Sequence, residues 1–328
     1  MTLIINAIWQ RWAFHASDRF VSVPVTARNP TGEFDPHSNK TVIVVGSDCW
    51  LVMGYTGVAY LNGKPTDQVI AEAISGYQDL SGIMSTFWTP GPYLHYREIR
   101  NRIQSRLDND YASLPRAVKA AHGITVLSSG LQRKGQRIKR VMSRIDVKRD
   151  RTTSSELAPR FMPWGGFQGS AVGTVHNSTM DKMGERLKRY LDRGGNDPHI
   201  FREVMMDAVR QTGAIVPHVV GQDAVGVYLD NSNRKISARF HPAIPARQME
   251  LLQRLQGLDP QLANRPTVST PFVLMPGVIW GPSIGNPGGW QVMTDGGSNI
   301  EYEYSGFNMD ASGPGGAFFA AQPRRLSP

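Results

Sequence analysis

The sequence predicts an α+β chain in which two antiparallel sheets lie face to face with a helix pair on each outer side. Two observations carry this. The apolar period changes along the chain in blocks, giving strands, two helices, strands, two helices and strands. Each helical block also carries an apolar stripe, which must bury against a sheet. A doubly wound sheet is the competing architecture. It needs helices alternating singly with strands, and no Gly-x-Gly-x-x-Gly follows a strand here.

The elements follow in order. Residues 2–8 read as a buried strand, and residues 13–18 return after a turn near Gln10-Arg11. Asn39-Lys40 opens a third strand over residues 41–45. The apolar run 50–53 ends at a Gly54-Tyr55-Thr56-Gly57 turn. A helix is expected from Asp67 to about Gly76, capped by the Thr66 hydroxyl, with Val69, Ile70, Ala73 and Ile74 on one face. After Thr89-Pro90-Gly91-Pro92 comes a helix over residues 93–108. In it Ile99, Ile103 and Leu107 repeat at helical spacing, and Arg97, Arg100, Arg102 and Arg106 form a solvated face.

Strands are then expected at 124–129 and 137–147, joined by residues 130–135, so that Ser128-Ser129-Gly130 ends the first of them. A glycine-rich loop leads to a helix over 180–191, striped by Met180, Met183, Leu187 and Leu191 and stopped by Gly194-Gly195. Ser178 is a candidate cap for it. Asp197-Pro198 signals the next helix, an N-cap followed by proline at the first helical position. It turns Ile200, Val204, Met205, Ala208 and Val209 inward and ends near Gly213. Strands at 224–229 and 235–240 flank an Asp230-Asn231-Ser232-Asn233 turn. Residues 1–240 therefore form one domain. Residues 241–328 are a Pro- and Gly-rich extension with a short helix around 247–255, a strand near 301–304 and a mobile terminus from Gly313.

Composition narrows the class. Of 328 residues, 40% are apolar and 19% charged, as in ordinary globular chains. No run reaches the ~20 apolar residues of a membrane span, and the start lacks the pattern of a secretory signal. A single cysteine, Cys49, excludes an internal disulfide framework and fits a reducing, cytoplasmic setting. Cys49 reads as packing. The net charge of +9 points to an anionic partner, and Arg133 to Arg151 holds nine of the basic residues. Alternation within that stretch, with Val141, Ser143, Ile145 and Val147 on one side, marks a half-buried strand with a charged outer face instead. The histidines lack zinc spacing, and neither Gly-x-Ser-x-Gly nor a P-loop is present. No metal or cofactor is expected.

The chemistry-bearing feature lies at the start. Thr2 is small enough to permit removal of Met1. The exposed threonine would carry a nucleophile and a base on one residue. Its α-amino group, with a reference pKa of roughly 7.7–8.0, accepts a proton near neutrality. Ala16-Ser17-Asp18-Arg19, then Lys40 at the head of the third strand, then Gly54-Tyr55-Thr56-Gly57 follow in order. With these residues the chain resembles the N-terminal-nucleophile (Ntn) hydrolases of the proteasome β-subunit type. The motif-rich likeness covers about the first 75 residues, and a weaker pattern continues to about residue 235.

The resemblance implies a four-layer αββα sandwich of two antiparallel sheets. It implies Thr2 as nucleophile, Asp18 orienting Lys40, Lys40 supplying positive charge beside the threonine, and the Gly57 N–H donating to the oxyanion. It further implies a peptide or other amide substrate and a homo-oligomer. The chain departs from the family in three places. The stretch between Asp18 and Lys40 is longer. The first hairpin reads Trp9-Gln10-Arg11-Trp12 without a glycine. The segment from Ile215 to Gly221 lacks the Asp that the family places there. The expected activity is a threonine-dependent amide hydrolase. A catalytically silent scaffold ranks second, motivated by that missing Asp, and a basic nucleic-acid-binding protein third.

Overall fold

The computed structural model describes residues 2–22, 33–35, 40–76, 94–148, 151–157, 168–230, 235–241, 273–275, 278–280, 300–305 and 320–325. The first hairpin joins β1 (Leu3–Trp9) to β2 (Trp12–Asp18), with Gln10 in the left-handed region at φ 48° where a glycine would be usual. Then come β3 (Val21–Ser22), β4 (Glu33–Asp35), β5 (Thr41–Val45), β6 (Cys49–Gly57), β7 (Tyr60–Leu61) and β8 (Lys64–Pro65). Three helices follow: α1 (Thr66–Ser75), α2 (Tyr96–Ala112) and α3 (Arg116–Ala121). Next are β9 (Ile124–Lys134), β10 (Arg137–Val147), β11 (Thr152–Glu156) and β12 (Gln168–Gly173). Helices α4 (Asn177–Asp192) and α5 (Pro198–Ile215) lead to β13 (Ala224–Asp230) and β14 (Lys235–His241). Beyond residue 241 are β15 (Val273–Met275), β16 (Val278–Trp280), β17 (Ile300–Ser305) and β18 (Ala320–Arg325).

These strands build a mixed α+β structure around two antiparallel sheets. One has the order β12-β1-β2-β13-β14-β17-β18, and the other β11-β10-β9-β6-β5-β16-β15. Four strands from beyond residue 241 thus extend the two sheets.

Period-two alternation decides what each strand face meets. On β1 and β2, Leu3, Ile5, Ala7, Trp9, Trp12, Phe14 and Ala16 share a core with Met183 and Leu187 of α4 and with Phe201, Val204 and Met205 of α5. Trp9 stacks on Phe201 at 4.5 Å between ring centroids, a pair contributing roughly 0.5–1.5 kcal/mol beyond area burial. On β5 and β6, Val42, Val44, Cys49, Leu51, Met53 and Tyr55 share a second core with α1 and α2. The alternate residues point the other way, and β1 and β2 lie against β6 and β9 of the opposite sheet. No helix among the described residues is long and apolar enough to cross a membrane.

Several local expectations are corrected. Gly54-Tyr55-Thr56-Gly57 is not a turn, since β6 stays paired with β9 as far as Gly57 opposite Ile124. β9 likewise runs through Ser128-Ser129-Gly130 and turns at Gly135-Gln136. Gly130 is required there by close approach, because a Cβ would sit 2.0 Å from the Trp50 carbonyl oxygen. Thr66 begins α1 instead of capping it, and its hydroxyl donates to Val58 O at 2.9 Å. Ser178 lies inside α4, hydrogen-bonded to His176 Nδ1 at 2.9 Å.

The arginine face of α2 is only partly solvated. Arg106 reaches the buried Glu72 of α1 at 3.1 Å, and Arg100 lies 3.5 Å from Glu156. α2 starts at Tyr96, three residues later than expected, and α3, β11 and β12 had no counterpart in the sequence reading. In the tail expected to be mobile, residues 320–325 form β18. The expected helix at 247–255 lies outside the described residues.

Candidate active site

The site forms where the ends of β1, β2, β5 and β6 meet. Thr2 stands directly before β1. Its carbonyl accepts from the Thr174 N–H at 2.9 Å, so the end of β12 holds it in place. Gly173 permits this contact. Its φ is +95°, and a Cβ would sit 1.7 Å from Thr2 O.

Asp18 ends β2 and is completely buried. Its Oδ1 accepts from the Leu3 N–H at 2.9 Å. Its Oδ2 accepts from the N–H groups of Phe20 at 3.0 Å and Gly221 at 3.1 Å. Lys40, immediately before β5, completes the set from 3.1 Å. Four donors therefore converge on one carboxylate, which meets the demand that a buried charge be paired and hydrogen-bonded.

The Lys40 ammonium is just as fully engaged. It donates to Asp18 Oδ2, to the Phe20 carbonyl and to Thr2 Oγ1, three acceptors for its three N–H donors. Lys40 is 1% exposed and Thr2 is 5% exposed. The cation is thus screened from bulk water and bonded to the hydroxyl that sequence reasoning singled out.

Thr2, Lys40 and Gly57 share the wall of a cavity of about 270 Å³, which Val21, Val58 and Tyr60 help to line. Gly57 has φ +105°, and a Cβ would lie 1.9 Å from Gly123 O, so glycine is required at that bend of the wall. All four residues picked from the sequence therefore reach this one region. Thr2, Asp18 and Lys40 are directly hydrogen-bonded in series, and Gly57 faces the same cavity.

Contributors not foreseen include the Phe20 carbonyl, the Leu3, Phe20 and Gly221 N–H groups that meet Asp18, the Thr174 N–H that meets Thr2, and Gly173. All of these but Gly173 are backbone groups that nearly every residue possesses, so no residue type flags them. Gly173 looks like any strand-end glycine. The stretch from Ile215 to Gly221, noted in the sequence for lacking the Asp that the family places there, contributes a main-chain donor to Asp18 instead. Cys49 lies apart on the helix-facing side of β6. Burial and then the neighbouring Asp48 hold its thiol well above the usual range, which suits packing and not attack. Compared with known proteins, the chain matches no family model and no curated sequence.

Proposed function

We propose that this chain is a threonine-dependent amide hydrolase of the Ntn type, with Thr2 as nucleophile once Met1 has been removed. One observation carries the reading. A buried ammonium, anchored by Asp18, donates directly to the Thr2 hydroxyl at the edge of a cavity. The layer order supports the finer fold reading of a four-layer αββα sandwich, with α1 and α2 outside one sheet and α4 and α5 outside the other.

In this reading the Thr2 α-amine takes the proton as Oγ1 attacks an amide carbonyl carbon. The positive charge of Lys40 disfavours protonation of the nearby amine and stabilises negative charge developing on the hydroxyl oxygen. Gly57 N–H donates to the carbonyl oxygen as it becomes an oxyanion. The amine passes its proton to the leaving nitrogen, the C–N bond breaks, and water releases the acyl group from Oγ1. The apolar cavity wall suits a peptide-like substrate with an apolar side chain next to the scissile bond.

Intact mass and covalent labelling test this together. The native protein is expected to lack Met1 and to form an adduct on Thr2 with a β-lactone or epoxyketone probe. Lys40→Arg should fold yet remain unlabelled, because a planar guanidinium cannot direct three donors from one compact atom. Retention of Met1 in the native protein would overturn the enzyme reading in favour of a silent scaffold. Labelling of Lys40→Arg at the wild-type rate would remove Lys40 from the site.

A further inference from the structure

The interior faces of the two sheets are not purely apolar behind the site. Asn6 on β1, His15 and Ser17 on β2, and Thr41 on β5 are all completely buried there. Asn6 Nδ2 lies 3.4 Å from Val52 O and 3.2 Å from Leu127 O. Carbonyl oxygens only accept, so the amide nitrogen must face them and Asn6 Oδ1 must accept in turn. His15 Nδ1 is 2.7 Å from that oxygen and therefore carries the ring proton. The neutral ring leaves Nε2 as an acceptor, and Thr41 Oγ1 donates to it from 3.0 Å. Ser17 Oγ, 3.1 Å from Thr41 Oγ1, then donates to Thr41. Gly54 makes the room, since a Cβ there would come within 2.4 Å of His15 Cε1.

We infer that this one-way chain, Ser17 to Thr41 to His15 to Asn6, positions Lys40 against Asp18 across the gap between the sheets. Ser17 immediately precedes Asp18 on β2, and Thr41 immediately follows Lys40 on β5. The ion pair is therefore assembled from two different sheets, and the chain ties together the residues next to each half. Apolar packing is non-directional and tolerates sliding of one sheet on the other. Directional hydrogen bonds restrict the separation to a few tenths of an ångström. Ser129 Oγ, donating to Phe14 O at 3.1 Å, adds a second tie between the same sheets. The catalytic consequence rests on the reading of Thr2 and Lys40 given above, whereas the order of protons does not.

The test compares Thr41→Val, which deletes the hydroxyl at nearly constant shape, with Thr41→Ser, which keeps it. In the full chain, Thr41→Val should react with a β-lactone probe at Thr2 at least about tenfold more slowly than wild type, while Thr41→Ser recovers most of the rate. Equal rates for wild type and Thr41→Val would overturn the positioning role. Should Thr41→Val fail to fold, Ser17→Ala removes only the first donor and is read in the same way. A wild-type chain that is never labelled would overturn the reading of Thr2 alone. The positioning role is then decided by the NMR signal of the buried Lys40 ammonium, which should shift in Thr41→Val and return in Thr41→Ser. An unmoved signal counts against it. In wild type, ¹⁵N spectra of the imidazole should show His15 protonated at Nδ1 and bare at Nε2, and an Nε2–H tautomer at neutral pH would refute the chain's direction.

Discussion

His15 lies wholly between the sheets, with Asn6 on one ring nitrogen, Thr41 on the other and Gly54 against its Cε1. Burial lowers its pKa to about 3 from the ordinary 6.5. In the unfolded chain it takes up a proton below pH 6.5, whereas in the folded chain it does so only near pH 3. Stability linked to this group is therefore fully present above pH 6.5 and is lost as pH falls toward 3, at up to about 1.4 kcal/mol per unit. Between pH 7 and pH 5 the loss should be about 2 kcal/mol. His15→Gln can retain one donor and one acceptor but cannot titrate, so urea denaturation of that variant should lack this component of the pH dependence. An identical pH dependence in both proteins would show that His15 is solvated or charged in the native state.

α5 shows how a local signal sets up a distant site. Asp197 caps it, its Oδ1 accepting from the His199 N–H at 2.8 Å, and Pro198 occupies the first turn. The helix buries Phe201, Val204, Met205 and Val209 against β1, β2 and β13. The segment after it then delivers the Gly221 N–H to Asp18. Asp197→Ala should lower stability by about 1 kcal/mol in urea denaturation, while the Thr2 adduct forms as in wild type. Loss of the adduct at unchanged stability would show that the cap acts on the site directly. This cap was legible because Asp-Pro before an apolar stripe is short-range chemistry. β11 was not. Its Thr152-Thr153-Ser154-Ser155-Glu156 run has no apolar alternation and is recruited by pairing with the edge of β10. The course of β9 through Gly130 was equally hidden, because the glycine answers to the Trp50 carbonyl of a neighbouring strand.

At the scale of the whole molecule, the chain beyond residue 241 bears on both sheets. β16 pairs with β5, and β17 pairs with β14. Truncation after His241 would leave both as edges. β5, Thr41-Val42-Ile43-Val44-Val45, would present an apolar run with unpaired backbone groups, which is a template for association. The truncated chain should aggregate or self-associate by light scattering under conditions where the full chain is monodisperse. A truncated chain matching the full one in size and stability would show that these strands are not needed to cover the edges.

The sequence by itself determined the elements whose cause is local. Short apolar runs marked β1 and β5, period-two alternation marked β10, a helical stripe marked α4 and α5, and Asp197-Pro198 marked a helix start. Residue chemistry also singled out Thr2, and the resemblance to Ntn hydrolases added Asp18, Lys40 and Gly57 as candidates. Only the tertiary structure decided what those residues touch. Asp18 and the Gly221 N–H are 203 positions apart, and Lys40 meets Thr2 across 38. Such contacts depend on which strands become neighbours, a property of the whole packing. Their partners include a backbone carbonyl and backbone N–H groups, which are chemically the same at nearly every residue and so leave no mark in the sequence.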